Sequence, residues 1–321
     1  MIVDLPDTTT SGISKALVKI REEGGAVALG RVLTLVIASD EAMTEEAIEA
    51  ANDASREHPM RVIVISTDPE ASPDAAPGLD AEIRVGGDAG ASEVVILRPT
   101  GDTAKDEQSL IMGLLLPDAP VVVWWPGRAP EIPGRSPLGL IALRRITDAT
   151  RRHADPQLAL EACAKNYTPG DTDFAWTRVT LWRAQLAAVL DQPPYENVTG
   201  VQVSGSADSP STTLLAAWLH LALGVPTDYE LTGPESSQGI HGVRMFRGDA
   251  SIDLVRTQGG IATLTQPGQP THDVALARRN LRDCLADELR RLDPDELYGE
   301  VITGGLATLG APSAITEGPL A

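Results

Sequence analysis

Two almost uninterrupted apolar runs, RVLTLVIA over 31–38 and RVIVIS over 61–66, constrain the fold of this chain more than any other feature. A strand that is apolar at nearly every position cannot leave one face in water, so both of its faces must be covered. Between the runs, Ser39-Asp40 offers a helix N-cap, and the stretch to about Arg56 carries a mostly Ala inner face. Strand, helix and strand in this order predict a right-handed crossover and a parallel sheet with helices packed on it.

The flanking sequence extends that unit. Residues 11–23 predict a helix with Ile13, Leu17 and Ile20 on one side. A Pro-, Ala- and Asp-rich loop over 68–80 precedes short strands near 81–85 and 93–97, then a helix over 104–116. Val121–Trp125 reads as a further buried strand ended by Pro126-Gly127, and residues 138–147 read as a helix. Residues 1–150 are therefore expected to form an N-terminal α/β domain, a mostly parallel doubly wound sheet.

At 321 residues the chain exceeds one typical core, which predicts a second domain. Residues 151–195 read as a helical bridge whose segment 173–190 is one helix. Over 196–310 a strand at 198–203 and a helix at 211–223 precede three strands at 242–247, 251–256 and 261–265. Gly248-Asp249 and Gly259-Gly260 separate these strands as tight hairpins require, and their alternation suggests a sheet with one wet face. Residues 273–292 read as an amphipathic helix, with Val274, Ala277, Leu281, Cys284, Leu285, Leu289 and Leu292 on its stripe. Asp293-Pro294-x-Glu296 would open a last helix. This is a C-terminal α+β domain with an antiparallel meander, and 311–321 has the composition of a disordered tail.

A net charge of −19 argues against binding nucleic acid, and equally against an anionic membrane surface. The N-terminus has no basic region followed by an apolar one, and no apolar run approaches a membrane span, so a cytoplasmic protein is expected. Cys163 and Cys284 are far apart, and the five His (58, 153, 220, 241, 272) are scattered away from metal-ligand spacing. Neither a metal nor a cofactor is expected. Gly86-Gly-Asp-Ala-Gly90 lacks the pattern of a phosphate loop. No G-x-S-x-G or H-E-x-x-H occurs, and nothing assembles a nucleophile with a base.

The aromatic residues supply the candidate site. The chain holds only 5 Trp, 4 Tyr and 2 Phe, yet Phe174, Trp176 and Trp182 fall within Asp-Phe-Ala-Trp-Thr-Arg-Val-Thr-Leu-Trp-Arg, residues 173–183. Trp124 and Trp125 close the apolar strand at 121–125. Rings this scarce belong either in a core or at a partner surface. On a helix from an Asp173 N-cap, Trp182 shares the apolar stripe with Ala175, Val179, Leu186 and Leu190. Trp176, Arg178 and Arg183 fall at its edges, as border residues or partner contacts. Trp124, Trp125, Asp173, Trp176, Arg178, Trp182 and Arg183 are the candidate partner-binding residues. The strand ends near Ser39, Asp40, Ser66, Asp68 and Trp125 have a separate claim to a ligand pocket.

Several of these segments together resemble one known family. Met-Ile-Val-Asp-Leu-Pro-Asp-Thr-Thr at the start, Gly30-Arg-Val-Leu-Thr-Leu, His58-Pro-Met-Arg-Val-Ile-Val, Trp124-Trp125-Pro-Gly and the 173–183 motif are similar to the OpcA family, the glucose-6-phosphate dehydrogenase assembly proteins. The resemblance implies a non-catalytic subunit that binds glucose-6-phosphate dehydrogenase and favours its active oligomer. It would thereby raise flux into the oxidative pentose phosphate pathway and NADPH supply. Some relatives are under thiol redox control, for which two distant cysteines and Met at position 60 give no support. The reading from another class is a small-molecule enzyme or sensor that takes a sugar phosphate at the strand ends of the N-terminal domain.

Overall fold

A computed structural model describes residues 1–24, 31–72, 74–86, 93–152, 155–193, 195–233 and 238–313. The chain divides into two compact units. The first comprises Met1–Asp148, Gly170–Thr172 and Asn280–Pro294; the second comprises Ala149–Pro169, Asp173–Arg279 and Asp295–Ala321.

The first unit is built on an eight-stranded sheet. Its strands are β1 (Ile2–Leu5), β2 (Leu33–Asp40), β3 (Met60–Thr67), β4 (Gly78–Val85), β5 (Glu93–Thr100), β6 (Val121–Trp124), β7 (Arg144–Thr147) and β8 (Asp171–Asp173), in the order β1-β4-β5-β3-β2-β6-β7-β8. The expected parallel pairing is present: β2 and β3 are neighbours joined by α2 (Glu41–Ala54). β5, β6 and β7 extend the parallel set, while β4 and β1 add antiparallel strands at one side. α1 (Thr10–Gly24), α3 (Glu107–Met112) and α4 (Pro137–Ile141) place Ile13, Leu17, Leu110, Ile111 and Leu138 in one core with Val36, Ile63, Val95 and Val123. The alternate strand residues Leu35, Ile37, Val62, Val64 and Ile96 are equally buried on the opposite face. This is the mostly parallel, doubly wound α/β architecture.

Three local expectations are corrected here, and two strands had none. Residues 138–147 are not one helix, because the chain leaves α4 and enters β7. Arg144 and Arg145 are buried there and bonded to Glu288 and Asp171, partners remote in sequence, so local periodicity could not place them. The helix expected over 104–116 is a short 3₁₀ turn, Gly101–Lys105, followed by α3, whose N-terminal Ser109 N–H is capped by Asp106. Asp40 holds the N-cap position of α2 but makes no side-chain cap bond. The edge strands β1 and β8 are too short to carry a pattern of their own.

The second unit carries a six-stranded sheet of β9 (Gly200–Ser206), β10 (Thr227–Thr232), β11 (Ile240–Arg247), β12 (Ala250–Gln258), β13 (Ile261–Thr265) and β14 (His272–Ala275), ordered β10-β9-β11-β12-β13-β14. β11 to β14 form the antiparallel meander, and Gly248, Gly259 and Gly260 take the positive φ values its hairpins require. One face is packed, with Val201, Val203, Val243, Met245, Ile252 and Leu254 in the core; the other carries Gln202, Arg244 and Asp253. Against the packed face lie α6 (Pro156–Asn166), α7 (Phe174–Thr177), α8 (Thr180–Leu190) and α9 (Pro210–Leu223), and α5 (Ala149–Arg152) packs on α6.

The helix expected over 273–292 is corrected too. Its first residues belong to β14, where Val274 pairs with Ala262 at the sheet edge, and α10 runs only over Leu281–Arg290. Strand pairing with β13 outweighs a helical stripe, and Asn280 caps α10 through the Asp283 N–H. The final helix starts from Asp295, whose carboxylate accepts from Tyr298 N–H, and not from Asp293. It comprises α11 (Glu296–Glu300), a π turn over Val301–Gly305 and α12 (Leu306–Thr308). Of the expected tail, residues 314–321 lie outside the described set, while Ser313 bridges Glu230 of β10. Among the described residues no helix is long and apolar enough to cross a membrane.

Candidate partner motif and an arginine-lined cavity

The 173–183 motif is assembled around Asp173. Its buried carboxylate accepts from Ala175 N–H at 2.8 Å, capping α7, and from Ala149 N–H at 2.9 Å at the start of α5. The helix expected from 173 to 190 is broken between α7 and α8 at Arg178 and Val179, where Val179 N–H reaches Trp176 O in a tighter turn. Ala175 is held from α9, since Ser211 Oγ donates to its carbonyl at 2.8 Å.

The rings face inward. Trp124 is 0 % exposed, Trp125 2 %, Trp176 1 % and Trp182 2 %. Trp176 lies 5.8 Å from Tyr298, and its indole Nε1 donates to Asp295 Oδ2 at 2.8 Å. Asp295 is also the cap of α11, so one carboxylate fastens the motif to the last helix. Trp182 sits beneath Arg256, whose guanidinium carbon is 5.2 Å from the ring centroid. The two motif arginines are half-buried. Arg183 lies over Trp176 at 3.7 Å, and Arg178 over Phe174 at 5.9 Å, with Arg178 Nη1 donating to Thr150 Oγ1. Of the seven candidate residues, then, only Arg178 and Arg183 reach the surface of the chain. Trp124 and Trp125 belong to the first unit, and the other five to the second.

The strand ends of the first unit spend their polar groups on one another. Ser39 Oγ lies 3.0 Å from Thr44 Oγ1, which donates to Ser66 Oγ at 2.9 Å, all three buried. Trp125 is packed in the core with Val36 and Leu138. The Gly-rich segment beyond Gly86 and His153 lie outside the described residues. Among the described residues no three His, Cys, Asp or Glu side chains gather as metal ligands.

Sequence reasoning missed a cavity of about 500 Å³ in the second unit. Among the described residues it is lined by Arg151, Arg178, Arg256, Arg278 and Arg279, with Asp208 the one acid. These side chains come from α5, the α7–α8 break, β12 and the segment after β14, so no contiguous motif announces them. Its trace in the sequence is an excess of Arg over Lys, 22 against 4, a bias that names no site.

Two family models describe this chain in succession. The N-terminal domain of the glucose-6-phosphate dehydrogenase subunit matches residues 51–165, and the C-terminal domain of the same family matches residues 169–302. The chain belongs to the OpcA family of glucose-6-phosphate dehydrogenase assembly proteins. Within this OpcA-family chain, Trp124 and Trp125 fall in the N-terminal match, and the 173–183 motif falls in the C-terminal one with Arg256, Arg278 and Arg279. No curated protein is similar enough to count as a match.

Solved structures are similar only in outline. A putative oxidoreductase, yvaA, from Bacillus subtilis is 11 % identical at a TM-score of 0.43, covering 85 % of this chain and 94 % of its own. A putative NADPH-dependent oxidoreductase from Desulfitobacterium hafniense is 11 % identical at 0.44, covering 87 % and 94 %. A myo-inositol dehydrogenase from Lactobacillus casei is 12 % identical at 0.39, covering 90 % and 99 %. Likenesses this distant do not bear on the activity or ligands of an OpcA-family chain.

Proposed function

We propose that this protein is a non-catalytic subunit that binds glucose-6-phosphate dehydrogenase in the cytoplasm and favours its active oligomer. The succession of two dehydrogenase-subunit domains over residues 51–302 supports this reading most. An activator of this kind needs no reacting groups. It needs only to bind the competent state of the enzyme more tightly than the incompetent one, and a few kcal/mol of differential contact suffices.

In this reading the motif works indirectly. Trp176, Trp182 and Asp173 fix the α7–α8 corner, and Arg183 and Arg178 are the groups it offers to the client. Arginine on a rigid aromatic bed loses little freedom on docking and suits interface carboxylates. Trp124 and Trp125 hold the parallel sheet of the first unit without touching the client. The test is co-purification with the dehydrogenase, followed by mass measurement and activity with and without the assembly protein. Arg183→Glu is expected to weaken both complex and activation while the circular-dichroism spectrum and melting temperature hold. Full activation by that variant would remove Arg183 from the interface, and no complex at micromolar concentrations would end the proposal.

A further inference from the structure

A second cavity of the second unit, of about 670 Å³, lies where α6, α9, β10 and the last helix meet. Its floor is apolar, made by Leu160 of α6, Leu231 of β10, and Ile302, Leu306 and Leu309 towards the C-terminal end. A concave, mostly apolar space of this size with a few polar groups is the form that holds a small molecule. The polar side chains around it divide into two sets. Thr213 donates to Gln157 Oε1 at 2.8 Å, Gln157 Nε2 to Ala207 O at 3.0 Å, and Thr303 to Gly299 O at 2.7 Å, so these are spent within the fold. The side chains of Tyr229, Glu161 and Lys165 form no hydrogen bond or ion pair among the described residues.

Tyr229 is the anomaly. It is only 7 % exposed and sits on the packed face of the edge strand β10, and a phenol buried so deeply ordinarily bonds its hydroxyl. A hydroxyl left without a partner costs stability that a ligand bonding there would return. Burial, and then the charge of Glu161, push the Tyr229 phenol above its ordinary range, which keeps it protonated and marks the Glu161 carboxylate as its neighbour. Glu161 precedes Lys165 by one turn of α6, the order in which the two charges attract best along a helix. No ion pair joins them. Both are exposed at the rim, so the mouth of the cavity offers one anion and one cation, each open to an incoming group.

We infer that this cavity binds a free apolar α-amino acid, with its ammonium between the Glu161 carboxylate and the Tyr229 hydroxyl oxygen, its carboxylate on Lys165 Nζ, and its side chain against Leu160, Leu231 and Ile302. A ligand with a single charge would leave one rim charge unmatched, and a zwitterion without an apolar body would leave the floor in water. Bound there, the amino acid ties α6 to the edge strand β10. The inference does not depend on the dehydrogenase as partner, since binding is measured on the chain alone.

The experiment is a calorimetric and thermal-shift titration of the full-length protein with leucine, methionine and phenylalanine. The controls are 4-methylpentanoate, which lacks the ammonium of leucine, 3-methylbutylamine, which lacks its carboxylate, and glycine, which lacks its body. The expected result is saturable binding of at least one of the three amino acids at millimolar concentration or below, and weaker binding of every control by about threefold to tenfold or more. Glu161→Gln and Lys165→Met, on exposed side chains, should each weaken binding by about threefold to tenfold at an unchanged melting temperature. Tyr229→Phe should weaken it by a similar factor of about threefold and hold or raise the melting temperature, because it removes a hydroxyl that has no partner. A merely structural tyrosine would lower that temperature instead. No saturable binding of any of the three amino acids would overturn the site, as would an affinity unchanged in both rim variants. Equal binding of 4-methylpentanoate or 3-methylbutylamine would overturn it too, by making the seat one for a singly charged amphiphile.

Discussion

The Arg183 guanidinium rests 3.7 Å above the ring of Trp176, and the same indole donates through Nε1 to Asp295. One buried ring thus links a half-buried arginine on α8 to the cap of the last helix. Substituting the ring should therefore act on stability first. Trp176→Ala is expected to destabilise the protein by about 3–5 kcal/mol. Trp176→Phe, which keeps most of the volume but loses the bond to Asp295, should cost less. Urea denaturation of the two variants checks the order, and a wild-type midpoint for Trp176→Phe would deny the indole–carboxylate bond its role.

Asp173 gives a second prediction. Its carboxylate serves Ala175 N–H and Ala149 N–H from a fully buried position, so Asp173→Ala strands two backbone donors. A loss of about 2 kcal/mol or more is expected in chemical denaturation. Asp173→Asn, which keeps an acceptor oxygen, should recover part of it. A wild-type midpoint for Asp173→Ala would show that the two helix starts need no cap.

Glu93 is the charged hub of the first unit. It is buried at the start of β5 with Arg61 at 2.6 Å, Arg31 at 3.0 Å and Arg21 at 3.2 Å. Glu93→Gln leaves Arg61 buried without its counter-charge, and a loss of about 3–5 kcal/mol is expected. Replacing Arg61 as well, Arg61→Met with Glu93→Leu, should be milder, because the arginines then left without Glu93, Arg31 and Arg21, are less buried than Arg61 and keep access to water. A double variant no better than Glu93→Gln would refute the pairing argument.

Acid sensitivity should arise at Arg84. Its two Nη atoms bond both carboxylate oxygens of Glu45, and these bonds hold Glu45 below the ordinary glutamate range. Burial pushes Glu82 up, but hydrogen bonds from Arg84 and Arg98 outweigh it, so Glu82 is lowered as well. Groups lowered on folding contribute stability that is present above the unfolded value of about 4.3, and they lose it as pH falls through the folded values. Stability should thus drop below about pH 4.5, and Arg84→Met should flatten that limb. Glu45 is largely exposed, so Glu82 should carry most of the effect. Urea midpoints measured from neutral to acid pH in both proteins decide it, and parallel curves would discard the Arg84 cluster as the cause.

Much of the fold was legible in the chain because its cues are local. The runs at 31–38 and 61–66 and the helix between them carry their own burial pattern, and Gly248 and the Gly259-Gly260 pair carry their own turn geometry. Where reading failed, the deciding partner was distant. Arg144 and Arg145 become a buried strand because Glu288 and Asp171 neutralise them, and Val274 joins a sheet because Ala262 is its neighbour.

The sequence by itself determined the two sheet types, the meander and the family, since periodicity, turn residues and motif order are properties of adjacent residues. Only the tertiary structure decided that the four candidate tryptophans are interior, that of the candidate residues Arg178 and Arg183 alone reach the surface, and that five arginines from separate segments share one cavity. Burial and charge convergence depend on which distant segments meet, and no spacing along a chain records that.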